Sequence, residues 1–181
     1  MIRRAFAVAA ALLALAACNP KEPAPTATPS VSSSPSSPPL SLKITGKGTA
    51  KQPVRIVQTR RDNRRQYELI ATSYESIGAV GTTRARFNDV RITFYDAAGT
   101  KLEAQAPQAI LDQAANTIEL RGGVHARNSS GATLACDDLV YNRGTEMIHG
   151  TGHVVITDPG GFQGTGSRFD SNVSLTTMRM Q

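Results

Sequence analysis

From about residue 44 to the end of the chain, apolar and polar positions alternate with a period of two, and helical periodicity is absent. The stretch from Thr117 to Arg127 shows the pattern clearly. Ile118, Leu120, Val124 and Ala126 are apolar, while Glu119, Arg121, His125 and Arg127 are polar. Such alternation predicts strands with one face inside and one in water. Turn signals recur at Asp96–Gly99, Gly122-Gly123, Asn128–Gly131, Asn142–Gly144 and Asp158–Gly161. With Gly122-Gly123 taken as a turn, the Thr117–Arg127 stretch is expected to be two short strands.

The alternation repeats with a shift of about 30 residues. Ala104 superposes on Leu134 and Gly164, Ala106 on Cys136 and Gly166, and Ala109 on Leu139 and Phe169. Further on, Ile118 falls on Ile148 and Met178, and Val124 on Val154. An earlier, looser copy places Val90 and Ile92 with Val124 and Ala126. Within a copy the inward face changes from even numbers (Ala104, Ala106) to odd ones (Ala109, Leu111). The inward face stays inward through that change only if the strand bends or bulges there. The expected product is an all-β stack of antiparallel rungs around one continuous interior, open at both ends. Large interior positions are Leu111, Ile118, Leu120, Val124, Leu134, Leu139, Tyr141, Ile148, Val154, Ile156 and Phe169; Ile110 is expected to face outward. Alanines and glycines lie between them. Such an interior either packs shut as a thin sandwich or leaves an apolar groove that admits acyl chains.

The N-terminal end has another character. Arg3 and Arg4 precede an apolar run, Ala5–Ala17, too short for a bilayer core that needs roughly 20 residues. Leu15-Ala16-Ala17-Cys18 fits a lipobox, so residues 1–17 are expected to be a lipoprotein signal peptide and Cys18 the lipid anchor. Residues 18–43 are rich in Pro, Ser and Thr and are expected to be an extended linker. One domain then spans residues 44–181. Acylation of Cys18 leaves Cys136 without a disulfide partner, so the domain must hold together by packing alone. Removing Arg3 and Arg4 from the 20 basic residues leaves a net charge of +4 against 14 acidic ones. That balance suits an anionic membrane, and export makes nucleic acid an unsuitable partner.

The chemistry-bearing residues form no catalytic constellation. His149 and His153, four residues apart on a strand, stand roughly 13 Å from one another and cannot share a metal ion. With His125 they are expected on the outer face. Gly164-Thr165-Gly166 precedes an expected strand rather than a helix, so no phosphate loop is implied. No cofactor and no metal site are expected, and the chain is not read as an enzyme. Arg60–Arg65 is a charge cluster expected at a hairpin, in water or against lipid phosphates. Residues 174–180 are expected to be the last strand. Its uncovered backbone at Ser174, Leu175, Thr176, Thr177 and Met178 would offer an edge to a partner.

Gln66–Ala71, Val90–Asp96 followed by Gly99, Ile118–Val124, Cys136–Asn142 and Gly164–Asp170 together resemble the LptC family in order and spacing. The resemblance implies a β-jellyroll with an open apolar groove carrying the acyl chains of lipopolysaccharide. It also implies an LptF–LptG-type transporter at one edge and an LptA-like jellyroll at the other. Where that family has a transmembrane helix, this chain has Cys18 and a linker. The expected location is the periplasm, lipid-anchored. The resemblance favours the inner membrane, while Asn19, in place of a retention Asp, leaves the outer one open. The rival reading is a structural β-repeat lipoprotein with a closed core.

Overall fold

The computed structural model describes residues 42–77 and 84–181. The expected signal peptide, Cys18 and most of the linker lie outside these residues. Among the described residues eleven strands form one antiparallel sheet: β1 (Leu42–Thr45), β2 (Val54–Thr59), β3 (Arg65–Ala71), β4 (Ser73–Ser76), β5 (Arg84–Tyr95), β6 (Lys101–Asp112), β7 (Thr117–Asn128), β8 (Thr133–Asn142), β9 (Met147–Thr157), β10 (Gln163–Asn172) and β11 (Met178–Met180). Nearly every strand pairs with its neighbours in sequence, and β4 pairs with β5 beside β3. The first strand starts at Leu42, so it takes in the last two residues assigned to the linker.

The long strands bend midway, and the bends stand side by side. The register shifts by a residue between Gln105 and Gln108, between Arg121 and Val124, between Ala135 and Asp138, and between Gly166 and Arg168. At this column of bends the inward face changes parity in β5, β6, β8 and β10, while β7 and β9 keep even numbers on both sides. Bulges absorb the extra residue and turn the strand. In β5, β7 and β9 the residue before Val90, Val124 and Val154 is left-handed: Asp89 (φ 49°), Gly123 (φ 95°) and His153 (φ 42°). Two of these side chains are held in place. The Thr72 hydroxyl donates to the Asp89 carboxylate at 2.9 Å, and the His153 ring meets the Asp137 carboxylate at 2.8 Å. Gly122-Gly123 therefore does not end a strand, as expected from sequence, but bends β7 in its middle. Gly164-Thr165-Gly166 likewise lies inside β10 rather than before it.

The bends divide the sheet into two walls. The first contains β1, β2, β3, residues 90–95, 101–106, 124–128, 133–136, 154–157 and 163–166. The second contains β4, residues 84–88, 109–112, 117–121, 138–142, 147–151 and 168–172, and β11. Their inner faces form one apolar cluster running from Val54 and Ile56 to Phe169 and Leu175. Ile110 faces outward, as expected, but is not in water. It is 6% exposed, yet stands apart from that cluster. Its cross-strand neighbours are Arg86 and Glu119, whose aliphatic stems shield an outward-facing side chain from water.

Candidate functional site

All eleven large interior positions read from sequence fall in this one cluster, and each is buried. Leu111, Ile118, Leu120, Leu139, Tyr141, Ile148 and Phe169 come from the second wall, and Val124, Leu134, Val154 and Ile156 from the first. The walls meet where the Phe94 and Tyr141 rings stand 4.4 Å apart at 37°. Tyr67, Leu69, Phe87, Phe94 and Leu102 extend the interior toward the N-terminal strands. The sequence reading of the groove began only at Leu111. The alternation Tyr67-Leu69-Ala71 and Val90-Ile92-Phe94 carried the missing signal.

Near those N-terminal strands a polar clasp closes the walls. The β2–β3 hairpin brings Arg60 to Glu146 in the β8–β9 turn, Nε to Oε1 at 2.5 Å. The same guanidinium donates to the carbonyls of Arg65, at 2.7 Å, and Tyr95. Gln66 Nε2 donates to the Arg143 carbonyl at 2.7 Å, and Arg143 Nη2 to Asn116 Oδ1 at 2.9 Å. The hydrogen bond to Glu146 is the main cause raising the Arg60 pKa, against the cost of burial. Beneath the clasp the Tyr67 hydroxyl faces Arg143 and the Tyr141 hydroxyl faces Gln66, without a well-formed hydrogen bond to either. Burial is the chief cause pushing both phenols above their ordinary range. Arg60 is thus a structural tie rather than a solvated hairpin residue, while Arg61 remains exposed at the turn.

The C-terminal edge differs from the sequence expectation. Ser174, Leu175, Thr176 and Thr177 form a loop, and only Met178 of that set lies in a strand. Asn172 dictates this. Its Oδ1 accepts from the Thr176 and Thr177 N–H groups at 2.9 and 3.3 Å, offering the backbone an alternative to a ladder. Leu175 is buried with φ 56°. The Thr177 N–H is therefore turned inward to Asn172 rather than offered to a partner. Asn128 Nδ2 also donates to the Ser174 carbonyl at 2.9 Å, tying this loop to the opposite wall.

A family model described as lipopolysaccharide-assembly, LptC-related, matches residues 7–181. The chain belongs to the LptC-related family. Its fold is also similar to the crystal structure of LptH, the LptA-homologous periplasmic component of the lipopolysaccharide transport device from Pseudomonas aeruginosa. That likeness has a TM-score of 0.50 at 13% identity, covering 63% of this chain and 80% of that one. No curated protein sequence matches the chain. Membership carries a role in lipopolysaccharide transport.

The remaining candidates in this LptC-related chain offer little chemistry. His125, His149 and His153 are exposed; His149 pairs with Asp170 and His153 with Asp137. Among the described residues no cluster of His, Cys, Asp and Glu could hold a metal ion. Burial, together with the charges of Asp138 and Asp137, pushes the Cys136 thiol up to about 12, so it is a poor nucleophile.

Proposed function

We propose that this chain is a lipid-transfer module. It takes lipopolysaccharide from an inner-membrane ABC transporter of LptF–LptG type and passes it, along its apolar interior, to an LptA-like jellyroll. The observation that carries this reading is the single apolar cluster running from the N-terminal strands to the last ones, between two walls bent in register. ATP hydrolysis by the transporter supplies the work, and the module needs no cofactor. Cys18 tethers it to the membrane through a lipid, and the Pro/Ser linker holds the domain off the surface. The backbone edge at β10 and β11 offers the place for the partner jellyroll.

The closed-core scaffold is favoured by a different observation: the groove positions are buried and the walls touch at Phe94 and Tyr141. Transfer therefore requires the walls to part. A photoreactive residue at 118, 139 or 148, in cells exporting lipopolysaccharide, separates the readings. Crosslinks to lipopolysaccharide support transfer, and their absence at all three supports the scaffold. For the anchor, Cys18→Ser is expected to abolish labelling by a palmitate analogue, and retained label refutes the lipobox reading.

A further inference from the structure

In the first half of the last long strand the interior positions are both glycines. Gly164 and Gly166 stand directly opposite Ile156 and Val154 of β9, which point inward. They occupy the places held by Ala104 and Ala106 in β6, and by Leu134 and Cys136 in β8. The vacant space is filled from elsewhere. A Cβ on Gly164 would lie 3.0 Å from Met180 Sδ, and one on Gly166 would lie 3.4 Å from Met180 Cε and 2.8 Å from the Gln181 carbonyl oxygen. Met180 is packed against the core through this glycine-floored notch.

The strand that delivers Met180 is short. β11 pairs with β10 over three residues, Met178, Arg179 and Met180. Beyond it the backbone of Gln181 pairs with Arg168, and its carbonyl also accepts from the Ser167 N–H at 2.7 Å. An edge strand of this length opens at low free energy compared with the central strands. Methionine suits a side chain that must fill a space and leave it, being unbranched, flexible and without a polar group to satisfy.

We propose that Met180 is a removable stopper: it occupies, on the closed molecule, a seat for an acyl chain at the C-terminal end of the interior. This rests on the interior being a lipid path. When β11 lifts from β10, Gly164 and Gly166 leave a smooth floor, and Ile156, Val154 and Phe169 line the seat. Glycine is needed at both positions because the tail lies over them, and a side chain at Gly166 would collide with the Gln181 backbone.

The test is binding of cis-parinaric acid, a fluorescent fatty acid, to the full chain and to Met180→Ala and Gly164→Leu variants, with thermal melting as the check on folding. If the seat is free about a tenth of the time in the parent, removing the stopper tightens binding about tenfold. Met180→Ala is expected to show that gain, and Gly164→Leu, which fills the seat from β10, to bind more weakly than the parent. Equal, measurable binding by the parent and Met180→Ala overturns the stopper and leaves the lipid path standing. No binding by parent or Met180→Ala overturns the lipid path, and the stopper with it.

Discussion

The two closures of this molecule are built from opposite materials. Near the N-terminal strands the walls are joined by Arg60, Gln66, Arg143 and Glu146, whose polar groups bond across the gap between a hairpin and a turn. At the last strands the interior is closed by one thioether side chain over two glycines. A half-buried charged clasp is costly to break, because each freed group must find water or another partner. A methionine in an apolar notch loses only contact area when it leaves. The same interior thus has one end clasped by charged and amide side chains, and at the other a notch filled by apolar contact, beside the short β11 ladder and the Asn128–Ser174 bond.

The largest effect tests whether the space between the closures is a core at all. Leu139→Glu or Ile148→Glu, at fully buried positions, is expected to cost several kcal/mol and to unfold the domain or lower its melting temperature sharply. Ile110→Glu, shielded on the outer face, is expected to cost clearly less, since its carboxylate can turn to water beside Arg86. Equal losses in thermal melts would make the outer cover part of the core.

Next comes the clasp. Arg60→Ala is expected to lower stability by about 1–3 kcal/mol, between the values for exposed and buried ion pairs, read as a shift in urea midpoint. A change below a few tenths would put the clasp on a level with the weak C-terminal closure and erase the contrast.

Alkali acts on the groups that are neutral inside. The thiol of Cys136 and the phenols of Tyr67 and Tyr141 hold their protons more tightly in the fold than in the open chain. Their contribution to stability is whole below pH 9 and is lost as pH rises, for the thiol between 9.0 and about 12. Cys136→Ala should flatten the alkaline decline without changing the clasp, as followed by circular dichroism from pH 8 to 11. A parallel decline in both proteins would remove the thiol from the account.

The smallest effect lies in the C-terminal loop. Thr177→Pro removes a donor to Asn172 and is expected to cost about 1 kcal/mol or less. Because that N–H serves the loop, partner binding should change little; a large loss of binding would show that the loop opens to form an edge.

Much of this architecture could be read from residue order. Period two, the parity change and most turn residues located the strands, their bends and their inner faces. The glycines misled, because a bulge and a hairpin both use left-handed backbone, so Gly122-Gly123 looked like a turn when it bends one strand. Residues 174–177 looked like a strand from β-forming composition, but the side chain of Asn172 decides that stretch. The clasp left no local signature. Arg60 and Glu146 are 86 residues apart, and nothing near either names the other.

The column of aligned bends also makes the length of the molecule divisible. Neighbouring strands lie about 4.8 Å apart, so each two-strand copy extends the interior by about 10 Å. Joining Glu103 directly to Leu134 would excise one whole copy and leave inward and outward positions in phase. Removing a single strand would instead reverse the direction of everything after it. The length of this interior is therefore adjustable in whole increments, by duplication or loss of about 30 residues at a time, without redesign of either end.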